Sequence, residues 1–209
     1  MPATVGAWCN GAVSSPPAAA PAWTLGRAAR LGLVLLLVWV TERLATHSWT
    51  GCALDLVNLT FHEAGHVFLT PFGSTVHFLG GTLFQVGVPA LLVWYFLFRR
   101  RAAYSAAVCL WWVGESLVNV AVYMADARDL ELNLVGGGEH DWNELFFRFN
   151  LLGEESVAAI SSSTHAIGVI VMLLGVAWAA LFVLPAGVRS DLVLRLATVA
   201  PRAVRLLAD

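Results

Sequence analysis

The sequence predicts an all-α membrane protein: a polytopic helix bundle of about five spans, with a short re-entrant hairpin after the second. Three observations predict it. The 209 residues are 58% hydrophobic and only 12% charged, about half the charge of an average soluble domain. Mean hydropathy is +0.73. Apolar runs near the length needed to cross a hydrocarbon core of about 30 Å recur along the chain, punctuated by charges and glycines. All 12 basic residues are Arg, scattered rather than clustered, and formal net charge is −2, which argues against nucleic acid as a partner. Cys9, Cys52 and Cys109 lie far apart with no CxxC spacing, so they read as packing residues rather than a disulfide or thiolate framework.

Residues 1–23 are rich in Ala, Pro and Ser, carry no charged side chain and lack the positive opening of a secretory signal, so a flexible tail is expected. The membrane-embedded domain is expected over 24–185. Its first span runs from Trp23 to about Ala45, with Arg27 and Arg30 before the apolar run and Glu42 and Arg43 after it. From Ala64 to Phe98 no Asp, Glu, Lys or Arg occurs for 35 residues. As one helix this would be about 52 Å long, more than a bilayer core accommodates. Pro71, Gly73, Gly80 and Gly81 supply the expected break, giving a second span near 52–70 and a third near 81–98, with the hairpin between them at 71–82.

Arg99, Arg100 and Arg101 close the third span, and a fourth is expected at about 102–124. Residues 126–155 hold most of the acidic groups and read as the main extramembrane loop. In it GGGEHDW, Gly136 to Trp142, forms a lid or a plain loop with Trp142 at the headgroups. A fifth span is expected at about 164–184. After Pro185 the spacing of Leu192, Leu196, Val199, Ala203 and Leu206 predicts an amphipathic interfacial helix over 186–209. Arg residues divide eight to four between the two sides, which puts the amino terminus outside. The Arg-only, Ala- and Val-rich composition is one associated with GC-rich prokaryotic genomes, so the lipid bilayer partner is expected to be a prokaryotic inner membrane.

Chemistry concentrates in the second span, at FHEAGHVF. Histidines at i and i+4 project from one helix face about 6 Å apart, so His62 and His66 can converge on one Zn²⁺. Glu63 can reach water at that ion. Zinc lowers the pKa of its water toward 7, and a neighbouring carboxylate can take the proton and return one to a leaving amine. An ionisable triplet within an apolar span is costly unless it has work to do.

Catalytic zinc usually takes three protein ligands, so a third is needed. Asp126 ends the fourth span, which crosses in the same direction as the second. Glu115 competes from deeper in that span, where Glu115, Asn119, Tyr123 and Asp126 form one polar stripe that must face protein. His140 or Asp141 in the loop is the further alternative. Gln85 either lines the cleft, donating to substrate, or pairs with another helix. His77 reads as a solvated interfacial histidine.

The layout resembles the site-2 protease family of intramembrane zinc metalloproteases. HEAGH lies in a span, the glycine-punctuated FGSTVHFLGG follows at once, and a later span offers Asn119 and then Asp126. The likeness covers roughly residues 50–130, with Ala127 where the family has Gly after its Asp, as in a minimal, divergent member. It implies that His62, His66 and Asp126 ligate Zn²⁺, that Glu63 is the general base, and that Asn119 helps hold the substrate strand or oxyanion. The expected activity is hydrolysis of a peptide bond in or next to a transmembrane segment of a membrane-protein or membrane-anchored substrate, received by strand addition at 71–82. The rival readings are a non-catalytic zinc-binding membrane scaffold and a small metal transporter.

Overall fold

The computed structural model describes residues 25–46, 53–134, 139–185 and 187–189. The expected tail and nearly all of the expected C-terminal helix lie outside the described residues. Every regular element described is helical: α1 (Leu25–Ala45), α2 (Asp55–Leu69), α3 (Ser74–Trp94), α4 (Ala103–Ala125), α5 (Asp141–Arg148) and α6 (Glu154–Leu181). A 3₁₀ turn, Thr70–Phe72, joins α2 to α3, and α3 ends in a π turn, Tyr95–Arg99.

Among the described residues three helices are long and apolar enough to cross a membrane: Ser74–Arg99, Ala103–Ala125 and Glu154–Leu181. That is the pattern of a membrane protein, but it is short of five such helices. At 15 residues α2 is about 22 Å long, too little to cross a core of about 30 Å. In α1, Arg27, Arg30, Glu42 and Arg43 leave only the middle of the helix uncharged.

The central helix is α4, which packs most extensively on α6 and is the most buried of the three long apolar helices. Small residues set that contact: a Cβ on Gly114 would stand 2.6 Å from the Gly168 carbonyl oxygen, and one on Gly175 would stand 2.6 Å from Trp111 N. Backbones can approach this closely only without side chains between them. Helix α1 packs chiefly on α6 and reaches α4 beside that contact, where the Trp111 indole donates to Thr41 Oγ1 at 2.8 Å inside a cluster of Leu37, Val40, Leu44, Val118 and Met172.

The chain reverses between α2 and α3 in four residues. Pro71 opens the 3₁₀ turn, and Gly73 adopts φ +97°, a left-handed conformation that glycine enters without Cβ strain. From Ser74 onward the backbone is helical straight through Gly80 and Gly81. The expected hairpin over 71–82 is therefore a tight turn at 70–73. Residues 74–82 spend their backbone groups inside α3 and offer no edge for strand addition. The two glycines serve packing: a Cβ on Gly80 would stand 2.6 Å from the Gly65 carbonyl oxygen, so α2 and α3 touch backbone to backbone.

Within the stretch expected as loop, DWNELFFR folds into α5. The His140 side chain caps it by accepting from Asn143 N at 3.1 Å, and Asp141 and Glu144 lie in its first turn, where the helix dipole favours acids. Leu145 and Phe146 point inward, and Trp142 packs on Phe146 rather than standing clear as an interface anchor. Arg148 ties the end of α5 to the start of α3 through Ser74 Oγ at 2.7 Å.

Candidate metal centre

His62 and His66 occupy one face of α2, and their rings stand 4.8 Å apart, centre to centre. Room for the first ring comes from α3: Gly81 lies against it, and any Cβ there would overlap the imidazole. The third group arrives from α5. Asp141 Oδ2 is 2.8 Å from His62 Nε2 and 3.1 Å from His66 Nε2. The ligating atoms of His62, His66 and Asp141 all lie within 4.8 Å of one another, the one such group found among the described residues.

The outer ring nitrogens decide what this convergence means. His62 Nδ1 faces Gln85 Oε1 at 3.1 Å, and His66 Nδ1 faces the His77 carbonyl oxygen at 2.8 Å. Both acceptors are oxygens, so both Nδ1 atoms carry the ring proton. In the neutral rings the two Nε2 lone pairs then point at one carboxylate oxygen with no hydrogen between them. Three lone-pair donors at this range repel one another unless a metal cation or the Nε2 proton of an imidazolium sits among them. The edges of 2.8 and 3.1 Å are a few tenths short of the roughly 3.3 Å edge of a tetrahedral zinc site. Two imidazoles and a carboxylate are a donor set zinc takes readily, and the Nδ1–H bonds are the usual outer support of metal-binding histidines.

Asp141 is itself held in place by its backbone N–H, which donates to Tyr123 Oη at 3.1 Å. Burial pushes its carboxyl up, but while the site holds no metal the imidazoles, with a proton on Nε2, outweigh burial and hold it below the ordinary carboxylate range. For neighbouring His140 the balance reverses: burial lowers its pKa more than the Asp126 charge raises it.

The structure does not bring Asp126 to the histidines. Its carboxylate accepts from the backbone N–H of Glu131 at 2.9 Å and of Leu132 at 3.2 Å, and lies 3.3 Å from His140 Nε2. At the C-terminal end of α4 it pins the following loop and steers the residue before Asp141. Glu115 is also elsewhere, buried within α4 and accepting from Asn58 Nδ2 at 2.9 Å. His140 is committed to capping α5.

Glu63 is exposed and lines, with His62, His66 and Asp141, a cavity of about 460 Å³. Asn119 and Gln85 line it too, but both are engaged: Gln85 Nε2 donates to Asn119 Oδ1 at 2.7 Å, and Asn119 Nδ2 donates to Asp55 Oδ1 at 3.1 Å. His77 is no isolated interfacial residue, since its carbonyl orients His66 and its Nδ1 lies 3.0 Å from Thr70 Oγ1. Tyr123 and Asp55 belong to the site as well. The polar stripe on α4 already singles out Tyr123, whereas only the spacing of seven to His62 on one helix face points to Asp55.

No family model matches this chain, and neither a curated protein nor a solved structure does.

Proposed function

We propose that the chain is a zinc metallopeptidase of a prokaryotic inner membrane, hydrolysing a peptide bond in or beside a transmembrane segment of another protein. One observation carries the reading: His62 Nε2, His66 Nε2 and Asp141 Oδ2 meet at the wall of a cavity that Glu63 also lines. Structural zinc sites are closed by four protein ligands, whereas catalytic ones keep three and leave a position free. Three are grouped here, beside a carboxylate that a purely structural site has no use for.

Bound zinc would supply a Lewis acid and lower the pKa of water in the cavity. Glu63, one residue along from His62, has its carboxylate available to take a proton from the attacking water and return one to the leaving amine. Tyr123 Oη accepts from Asp141 N–H, so its own O–H is left to donate to a substrate oxygen in the cavity. Gln85, Asn119 and Tyr123 come from two of the three long apolar helices, which supports a site at membrane depth.

The resemblance to the site-2 protease family rests on HEAGH, with the third ligand supplied by α5 instead of the end of α4. Glu63→Gln is the test. Purified and zinc-loaded, the variant is expected to bind zinc like the parent and to lose cleavage of a transmembrane peptide by at least about a hundredfold. Undiminished cleavage would reject Glu63 as the base.

A further inference from the structure

We propose that Asp55 and Asn119 are positioning residues which, through Gln85, fix the tautomer of His62. The proposal rests on the metal reading in one respect: the tautomer matters because Nε2 must offer a lone pair. Four side chains from three helices form a single file, Asp55 and His62 on α2, Asn119 on α4 and Gln85 on α3. The contacts measure 3.1 Å from Asp55 Oδ1 to Asn119 Nδ2, 2.7 Å from Asn119 Oδ1 to Gln85 Nε2, and 3.1 Å from Gln85 Oε1 to His62 Nδ1.

A primary amide presents an oxygen on one side and an NH₂ on the other, so a row of amides can run in either direction. Asp55 removes the choice. An ionised carboxylate only accepts, so Asn119 must turn its NH₂ to Asp55 and its oxygen to Gln85. Gln85 must then turn its NH₂ to Asn119 and its oxygen to His62. His62 is left one option, a proton on Nδ1 and a lone pair on Nε2, facing His66 and Asp141. Run the other way, the file would put an N–H on Nε2 and close the site to a cation.

His66 needs no such anchor, because its Nδ1 is held by the His77 backbone carbonyl, which cannot turn over. The two histidines of one motif are thus oriented by different means, one by main chain and one by a side-chain file that begins seven residues earlier on the same helix.

Histidine side-chain ¹⁵N NMR of the full-length, metal-free protein in nanodiscs reads the tautomer directly. In the parent, His62 is expected as the Nδ1–H form alone. Asp55→Asn keeps the shape but frees the direction, so the Nε2–H form of His62 is expected to appear, with zinc affinity falling about tenfold. Asn119→Leu, which cuts the file and leaves Asp55 in place, gives the same ¹⁵N signature should the first variant fold poorly. Gln85→Glu restores what Asp55→Asn releases, because a carboxylate at 85 only accepts and so takes the Nδ1–H of His62 whichever way Asn119 turns. The double variant is therefore expected to return His62 to the Nδ1–H form and to regain zinc affinity. No such recovery, or an unchanged His62 tautomer in both Asp55→Asn and Asn119→Leu, overturns the proposal. A zinc-loaded parent that shows the expected ¹⁵N pattern but cleaves no transmembrane peptide counts against the enzyme reading alone.

Discussion

Gly81 and His62 share a boundary that leaves no space for a side chain at 81. A Cβ there would overlap Nε2, Cε1 and Cδ2 of the imidazole, the edge that faces Asp141. The glycine of α3 thereby sets the position of a histidine on α2. Gly81→Ala is expected to push the ring off its partners and lower zinc affinity by more than about tenfold, read by calorimetry on the purified protein. Gly87→Ala on the same helix meets nothing within 4 Å and is expected to leave zinc binding alone while adding up to about 1 kcal/mol of helix propensity.

Packing between α4 and α6 makes a separate prediction. Since Cβ atoms at Gly114 and Gly168 would collide with the opposite helix, Gly168→Leu must pry α6 from α4. Overpacking of this kind costs about 1–3 kcal/mol. A loss of that order in a detergent or urea unfolding titration is expected; an unchanged midpoint would mean that the two helices do not meet there.

The pairing of His62 and His66 was legible because its geometry is local: four residues of helix bring the two imidazoles together whatever the rest of the chain does. The carboxylate that joins them was not, because 79 residues separate His62 from Asp141 and several carboxylates reach the same end of the bundle. Asp126 looked favourable at the end of α4. It was already engaged by the N–H groups of Glu131 and Leu132, a local bond that spacing along the helix does not reveal. Helix α5 escaped notice because eight residues are barely two turns, too short a stretch to stand out from the acidic loop around it, although His140 before Asp141 and Glu144 is a start signal. Gly80 and Gly81 were misread for a physical reason. A glycine that breaks a helix and one that lets a neighbour approach are identical in sequence, and only the position of Gly65 and His62 across the gap tells them apart. The apolar runs fixed the class and most of α4, but charges within α1 and the shortness of α2 leave three helices that meet the length and composition of a span.

Zinc affinity should depend on pH with a definite sign. Binding requires lone pairs on two imidazoles, so any proton on either must leave, and affinity falls as pH drops. Asp141, held below the ordinary carboxylate range, stays ionised over that fall and takes up no third proton. The logarithm of affinity against pH is therefore expected to steepen in acid toward a slope of two, not three. Competition titrations with a chelator at several pH values read it.

Metal content of the purified full-length protein, beside Asp141→Ala and Asp126→Ala, tests the central claim most directly. One zinc per chain is expected in the parent, retained when Asp126 is removed and lost when Asp141 is removed. A parent that binds no zinc, or zinc that survives the loss of Asp141 but not of Asp126, would contradict the account.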